Sequence, residues 1–385
     1  MSAPRILAIS LSPLTRDARV LRQVDALARH GEVTTVGYGP APAAATRHLE
    51  VGAGLNSLPR TPLGVAGLAA RRLHAVELSA PGLRRGLELV ETELGGSGRF
   101  DLVVANDARS LPLAHRVARG APVWADMHEW AAEEFSHVLT WRLLVGPLME
   151  HVCREYLPAS AAVTTVCEPL AERYTEHYGV ACEVVRNAGP WRDLTPSPAD
   201  PARIRLVHSG AAIRGRNVEM LVEATLAVPS CTLDLYLVPA ADGGRYLAEL
   251  SRLAGGSDRI TIHDPVAPAE LPATLNRYDV GAFCMPPINV NAEYALPNKF
   301  FDFVQARLAH AVGPAPEMAR LVREHGLGVV SADFSTEAFV AALRTLDPQA
   351  VRAGKEASHR HARALSSEAD LQVVDGIVTR LLGAA

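Results

Sequence analysis

Leu296-Pro297-Asn298-Lys299-Phe300-Phe301-Asp302-Phe303 places a helix start, a cation and a carboxylate within one turn, and the rest of the chain is read outward from it. Proline fits the first turn of a helix, where a missing N–H costs nothing, and Phe300, Phe301, Val304 and Leu308 then repeat on one apolar face. Asn298, Lys299 and Asp302 fall on roughly the opposite face. A helix N-terminus offers N–H groups and partial positive charge, so the loop entering it suits a phosphate, with Lys299 adding a full charge. Asp302 is then placed to accept from sugar hydroxyls. The alternative is an i,i+3 surface pair of Lys299 and Asp302, worth about 0.2–0.5 kcal/mol. Composition bears on the choice: of 38 basic residues only Lys299 and Lys355 are lysine, and a compact, flexible point charge suits a phosphate contact.

At 385 residues the chain is long enough for two ordinary domains, each able to bury a core. A net charge of −4 gives no general attraction to nucleic acid or anionic lipid, so no nucleic-acid partner is expected. The five cysteines, Cys153, Cys167, Cys182, Cys231 and Cys284, are scattered and show neither CxxC nor Cys/His ligand spacing. They read as small buried residues in a reducing cytoplasm. The apolar run 6–11 is too short for a signal-peptide core, and no run approaches the about eighteen apolar residues of a membrane span.

Residues 5–12 form a continuous apolar run, and 17–30 carry helical periodicity through Val20, Leu21, Val24 and Leu27: a strand, a loop and a helix. Further strands are predicted at 33–38, 100–105, 122–125, 162–166 and 183–185. The segment 64–90 is helical in pattern, with Arg71, Arg72, Arg84 and Arg85 among its leucines, which reads as a solvated face or one turned to an acidic acceptor or a membrane surface. Residues 189–203, with four prolines, have neither periodicity and read as a linker. Beyond it the alternation restarts: strands at 204–208, 231–238, 259–262 and 279–283, helices at 217–227, 245–253, 336–346 and 371–382. Strands alternating with helices on both sides of a linker predict an α/β protein with two doubly wound, mainly parallel sheets.

In open α/β sheets ligands bind beyond the carboxyl ends of the strands, so the polar residues just after each strand are the candidates. After the first come Asp17-Ala18-Arg19-Val20, after the third Asn106-Asp107 and Leu111-Pro112, after the fourth Asp126-Met127-His128-Glu129-Trp130. Each alone reads equally well as a helix cap or a buried ion pair; three on one sheet edge point to a site. In the second half His208-Ser209-Gly210 ends a strand and Arg214-Gly215-Arg216-Asn217 enters a helix, a pattern suited to cradling a diphosphate. No GxGxxG or GxxxxGK[ST] follows a first strand, which argues against dinucleotide and nucleoside-triphosphate sites, and GxSxG, HExxH and paired-cysteine motifs are missing too.

Taken together these motifs resemble those of GT-B glycosyltransferases, in particular the retaining family 4 (group 1) enzymes that use nucleotide sugars, and the resemblance spans nearly the whole chain. The subgroup carries an Asp-x-Arg-Val, matched by Asp17 to Val20; an Asn-Asp followed by Leu-Pro; a Tyr-Asp-x-His-Glu, matched from Asp126 to Glu129; and an asparagine closing the first domain, matched by Asn187. Its second domain carries a glycine-arginine helix entry, resembled by Gly215-Arg216, and a Pro-Asn-Lys-Leu-Phe-Glu run, resembled by Pro297 to Asp302.

The resemblance implies a GT-B architecture of two Rossmann-like domains facing a central cleft: an acceptor domain at 1–189, a donor domain at 190–370, and a last helix, 371–385, packing back on the first. It implies transfer of a hexose from a UDP-, GDP- or dTDP-linked donor to a small molecule of natural-product type or a glycan precursor, with no cofactor and no metal; assembly as a homodimer stays open. On the donor side it assigns the diphosphate to Arg216 and Lys299, with Arg214 as a second candidate, the ribose to Asp302, and the nucleobase to the loop of His263 and Val266. Ser209, Gly210, Tyr294, Pro297 and Asn298 complete that side. His128 is implied to face the transferred sugar, oriented by Asp126 and Glu129, with Thr15, Asp17, Arg19, Asn106 and Asp107 on the acceptor side. The sequence departs from the family at Asp302, a carbon shorter than the usual glutamate; at Tyr294, where the first acid of an E-x7-E pair is expected; at Ala306-Arg307-Leu308-Ala309, which lacks a Gly-Leu-Pro turn; and in having no glycine-rich acceptor loop near its start. Two other classes fit the same fold: a non-catalytic relative that binds a nucleotide sugar, and a sugar-nucleotide epimerase.

Overall fold

Apolar runs too short for helices and closed by polar residues become strands buried on both faces, as parallel sheets require. The computed structural model describes residues 3–58, 78–95, 98–240 and 242–383. In the first sheet these are β1 Arg5–Pro13, β2 Glu32–Tyr38, β3 Arg47–Glu50, β4 Leu102–Asn106, β5 Val123–Asp126, β6 Ala162–Thr165 and β7 Cys182–Val184. They lie in the order β3-β2-β1-β4-β5-β6-β7, and every pairing is parallel. The second sheet holds β8 Ile204–Ala212, β9 Cys231–Pro239, β10 Ile260–His263, β11 Val280–Phe283, β12 Ala309–Val312 and β13 Gly328–Val330, in the order β10-β9-β8-β11-β12-β13, again all parallel. Both sheets are doubly wound, reversing direction of winding between β1 and β4 and between β8 and β11.

The chain divides into two compact units, one of Met1–Arg186 with Asn289–Asn291 and Leu371–Ala385, the other of Asn187–Ile288 with Ala292–Asp370. The division falls at Arg186 rather than at 189. In the first unit Ile6, Ala8, Val104 and Trp124 pack with Val374, Ile377, Val378 and Leu381 of the helix Ser367–Gly383, so that helix completes a core begun at the start of the chain. In the second, Leu206, Leu233, Leu235, Val280 and Ala311 form a core with Phe339 and Leu343.

The sequence reading passed over several elements, among them the helices Leu111–Ala118, Gly146–Tyr156, Glu168–Tyr178 and Pro316–His325 and the four described next. β3 is a short edge strand of mostly polar residues, and β13 has three residues. β12 is Ala-His-Ala-Val, without the β-branched pattern that marks a strand. The helix Pro348–His361 buries Val351, Gly354, Lys355, Ala357 and Ser358, a face of small and polar residues that shows no apolar period. A Cβ on Gly354 would lie 2.7 Å from both the Ala309 Cβ and the Leu327 carbonyl oxygen, so the helix owes its close approach to β12 to that glycine.

Residues 187–203 carry no helix or strand, as expected of a linker, but they are not a loose tether. Arg307, in a left-handed conformation (φ 59°), donates to the carbonyls of Arg192 and Leu194, while Asn276 donates to Thr195 and Lys355 to Ser197. The helical segment predicted at 64–90 is described only from residue 78; it contains the helix Pro81–Leu94, on which Arg84 and Arg85 are exposed, while Arg71 and Arg72 lie outside the described residues. Of the cysteines, all of them free, four are buried and Cys182 is half-buried. Among the described residues no helix is long and apolar enough to cross a membrane.

Candidate active site

Residues at the carboxyl ends of the strands flanking each reversal face open space that no crossover helix fills, so polar groups gather there. In the first unit Ser10 of β1 lies in register with Asn106 at the end of β4, and Asn106 with Asp126 at the end of the next strand, β5. Asp126 is 1% exposed and accepts from Arg19 Nε (3.0 Å) and Nη2 (2.5 Å), Gln23 Nε2 (2.9 Å) and Thr164 Oγ1 (2.6 Å). Burial alone would raise its pKa, but the Arg19 guanidinium and the His128 ring outweigh that and hold it well below the usual carboxylate range. Both oxygens of Asp126 are thus engaged by neighbouring side chains. Arg19, donating also to the Val185 carbonyl (2.6 Å), is its buried counter-ion. Asp17 caps the helix Ala18–Leu27, accepting from the Val20 N–H (3.1 Å) and the Ser12 hydroxyl (3.2 Å), and so is committed to the fold. Thr15 is exposed on the preceding turn, outside this network.

His128 is the group these residues position. Its Nε2 lies 3.3 Å from Asn106 Oδ1 and 3.6 Å from Asp126 Oδ2, its Nδ1 lies 3.4 Å from Asp107 Oδ2, and its backbone N–H donates to Asp107 Oδ1 (3.1 Å). Desolvation opposes protonation, but Asp107 and Asp126 prevail over it and over Arg19, and the His128 pKa is raised. The two carboxylates thus favour the imidazolium form of the ring. Asp107 holds it from a backbone at φ 64°, ψ 162°, a region that residues with a Cβ seldom enter. Glu129 borders a cavity of about 140 Å³ with His128, Arg109 and Glu134; desolvation and the carboxylates of Glu134 and Asp107 push it up to about 7.

In the second unit the strands at the reversal are β8 and β11. The helix that the sequence placed around Pro297 runs Asn298–Gln305 with Pro297 as its cap, and no side chain caps its first turn. Asn298 is exposed and Asp302 half-buried, but Lys299 is only 7% exposed. The surface-pair reading of Lys299 thus fails, because its stem crosses the sheet end: Nζ stands 4.5 Å from the Phe283 ring centroid and 3.2 Å from His208 Nε2. His208, fully buried, pairs its Nδ1 with the Ala282 carbonyl (2.9 Å). Burial and the charges of Lys299 and Arg216 keep His208 neutral, with its pKa far below the usual value. Nδ1 then carries the proton and Nε2 accepts from the ammonium. Burial lowers Lys299 itself to about 7, with Arg216 pushing the same way and Asp302 against.

Arg216 and Lys299 converge on one backbone position. Gly210 has φ +147°, and a Cβ there would lie 2.8 Å from Lys299 Nζ and 3.9 Å from Arg216 Nη1. Ser209, beside it, is 5% exposed. Arg214 is directed elsewhere: exposed, it pairs with Glu249 and covers the Tyr246 ring at 5.3 Å. His263 ends the edge strand β10, two strands from β8, bonded to Asp234 and stacked on Tyr236 at 4.6 Å. Val266 is half-buried in the loop after it, and Tyr294 half-buried before the helix Asn298–Gln305. The sequence pointed to His208 as a strand end but not to its pairing with Lys299, and Gln23 and Thr164 as partners of Asp126 were not legible, since no spacing marks them. Among the described residues no group of three or more His, Cys, Asp or Glu side chains is arranged to hold a metal ion.

No protein-family model and no curated protein matches the chain. Solved structures do. The sucrose-phosphate synthase of Thermosynechococcus elongatus is similar over 99% of this chain and 100% of its own, with a TM-score of 0.73 at 15% identity. HepE of Anabaena, in complex with UDP and glucose, is similar over 98% and 100%, at 0.69 and 14%. The UDP-forming α,α-trehalose-phosphate synthase of Burkholderia vietnamiensis is similar over 100% and 98%, at 0.65 and 13%. Together with the two doubly wound parallel sheets, these likenesses establish that the chain has the GT-B fold, two Rossmann-like domains in one polypeptide.

Proposed function

We propose that the chain is a glycosyltransferase that moves a hexose from a nucleoside-diphosphate sugar to an acceptor, without a divalent metal and with retention at the sugar carbon. The observation that carries this reading is the meeting of Lys299 and Arg216 over the backbone of Gly210. Two cations held together at a strand end, one of them buried against a neutral histidine, repel each other until an anion of more than one charge joins them. UDP is the nucleotide of choice, since HepE is described with UDP and the trehalose-phosphate synthase as UDP-forming.

In the proposed reaction the bond from the sugar C1 to the β-phosphate oxygen breaks, and its electron pair stays on the diphosphate. The acceptor oxygen bonds to C1 on the same face, and its proton passes to the departing phosphate. Lys299, Arg216 and the uncapped first turn of Asn298–Gln305 supply the positive potential that a metal would otherwise bring. Asp302 accepts from the ribose hydroxyls, and His128, whose imidazolium form Asp107 and Asp126 favour, donates to a hydroxyl of the transferred sugar. The acceptor, a natural-product-like molecule or glycan precursor in the cytoplasm, belongs to the first unit.

The test is nucleoside-diphosphate release from UDP-, GDP- and dTDP-sugars in excess EDTA. UDP release that persists in EDTA supports the reading. Dependence on Mn²⁺ or Mg²⁺ removes the metal-free mechanism, and binding without release favours a non-catalytic nucleotide-sugar-binding protein.

A further inference from the structure

We infer that the acceptor is a flat, ring-bearing apolar molecule, seated in a cavity of about 790 Å³ within the first unit, its reacting group directed at the smaller polar cavity of His128. The inference deepens the glycosyl-transfer reading and depends on it for the reaction that follows binding.

The larger cavity is in the size range of small-molecule sites. Its wall includes Tyr38, Leu55, Phe135, Val138 and Trp141. Phe135 and Trp141 meet edge to face, ring centroids 4.9 Å apart, and the Trp141 N–H is already donated to the Ala132 carbonyl (3.1 Å), so what the indole offers a ligand is its apolar body. Trp141 opens a π-helical turn, Trp141–Val145, and both ends of that turn line the cavity. Phe135 and Val138 remain 42% exposed, a cost that a bound apolar surface would remove.

A sugar acceptor would call for several uncommitted polar side chains. Here Ser12 is engaged with Ser10 and Asp17, and Arg109 with Glu134 (2.9 Å) and the Trp141 ring (5.6 Å), so Asn56, Ser57 and Thr140, with the Tyr38 hydroxyl, are the other polar groups of the wall, fewer than its apolar ones. Arg109 lines both cavities, which places the apolar chamber beside His128 and Glu129.

The experiment is equilibrium dialysis of the full chain against 2-naphthol, with N-acetylglucosamine as competitor, and UDP release from UDP-glucose measured on the same samples. The protein is expected to retain 2-naphthol; Val138→Asp and Phe135→Ser, at partly exposed positions that tolerate change, weaken retention about tenfold or more. Leu143→Asp, at a 62% exposed position outside the cavity, binds as the parent does. Absence of naphthol binding, competition by N-acetylglucosamine, or an equal loss in Leu143→Asp overturns the inference, the last indicating a general apolar surface such as a lipid contact. Specific naphthol binding without nucleoside-diphosphate release from UDP-glucose or from the other UDP-, GDP- and dTDP-sugars supports the cavity and refutes glycosyl transfer; UDP release without naphthol binding does the reverse.

Discussion

Lys299 Nζ stands 3.2 Å from His208 Nε2, and His208 gives its remaining ring proton to the Ala282 carbonyl, so a neutral imidazole receives a buried ammonium. The ammonium gains one hydrogen bond and no full counter-charge there. Burial and Arg216 lower its pKa to about 7, and the ion is held ready for an anion.

That arrangement predicts proton uptake on binding. At pH 8 most of the unliganded protein carries neutral Lys299, and a diphosphate beside it restores the charge, so UDP binding takes up a proton. Titration calorimetry in buffers of different ionisation enthalpy should show the uptake in the parent and not in Lys299→Met. The same shift fixes a stability trend: the folded pKa lies below the unfolded 10.5, so the unfolded chain binds more protons between about 7 and 10.5, and this residue's contribution to stability rises with pH across that window.

Asp302 and Lys299 should separate by ligand. Asp302→Ala is expected to weaken both uridine and UDP by roughly one to two orders of magnitude, the effect of losing hydrogen bonds to a charged group worth about 1.5–3 kcal/mol. Lys299→Ala should weaken UDP and spare uridine. If both variants bind like the parent, the donor site is not at this helix.

Gly210→Ala puts a methyl group against the Lys299 ammonium in a backbone region that residues with a Cβ avoid, at a cost of about 1–3 kcal/mol. The flexible lysine end can move aside, so the protein should fold with a lower Tm and bind UDP less tightly. Unchanged UDP affinity would show that the diphosphate does not lie over this strand end.

Asp107→Gly should act in opposite directions on fold and site. Glycine adopts φ 64°, ψ 162° freely, so the substitution is expected to hold or raise stability, while the His128 pKa falls for want of its carboxylate partner. NMR titration of His128 and thermal melts read the two effects. A loss of more than about 1 kcal/mol would show that Asp107 serves the fold instead.

Arg19→Met leaves the buried Asp126 carboxylate without its guanidinium partner and should destabilise the first unit by about 3–5 kcal/mol, whereas Arg19→Met with Asp126→Leu should recover much of that. Urea denaturation followed through the first unit's tryptophans compares the two.

The fold was legible because its strands are short apolar runs with polar ends, a pattern that survives without homologues. The phosphate side was legible in part: a lysine in an arginine-rich chain stood out, but its burial did not, since Lys299 sits on the polar face of its helix and reaches the interior only by crossing the end of β11. His208 lay in plain view as a strand end and acquired a role only once β8 and β11 were neighbours. Asp17, Arg19 and Asp126 show the converse. Polar residues after strands look alike whether they cap, pair or bind, and only the Arg19 fork on Asp126 and the Val20 N–H on Asp17 distinguish them. The helix Pro348–His361 escaped notice because what it buries is small or polar.

The helix Ser367–Gly383 also sets an order of events during synthesis. Val374, Ile377, Val378 and Leu381 each contribute about 1.5 kcal/mol or more of apolar burial to a core whose other members were translated before the whole second unit. A ribosome making this chain therefore holds out an N-terminal sheet with part of its apolar core uncovered until this helix emerges, and release of a chain cut short before Ser367 would free a form prone to aggregate. The second unit, contiguous except for three residues, has no such wait and can finish folding first.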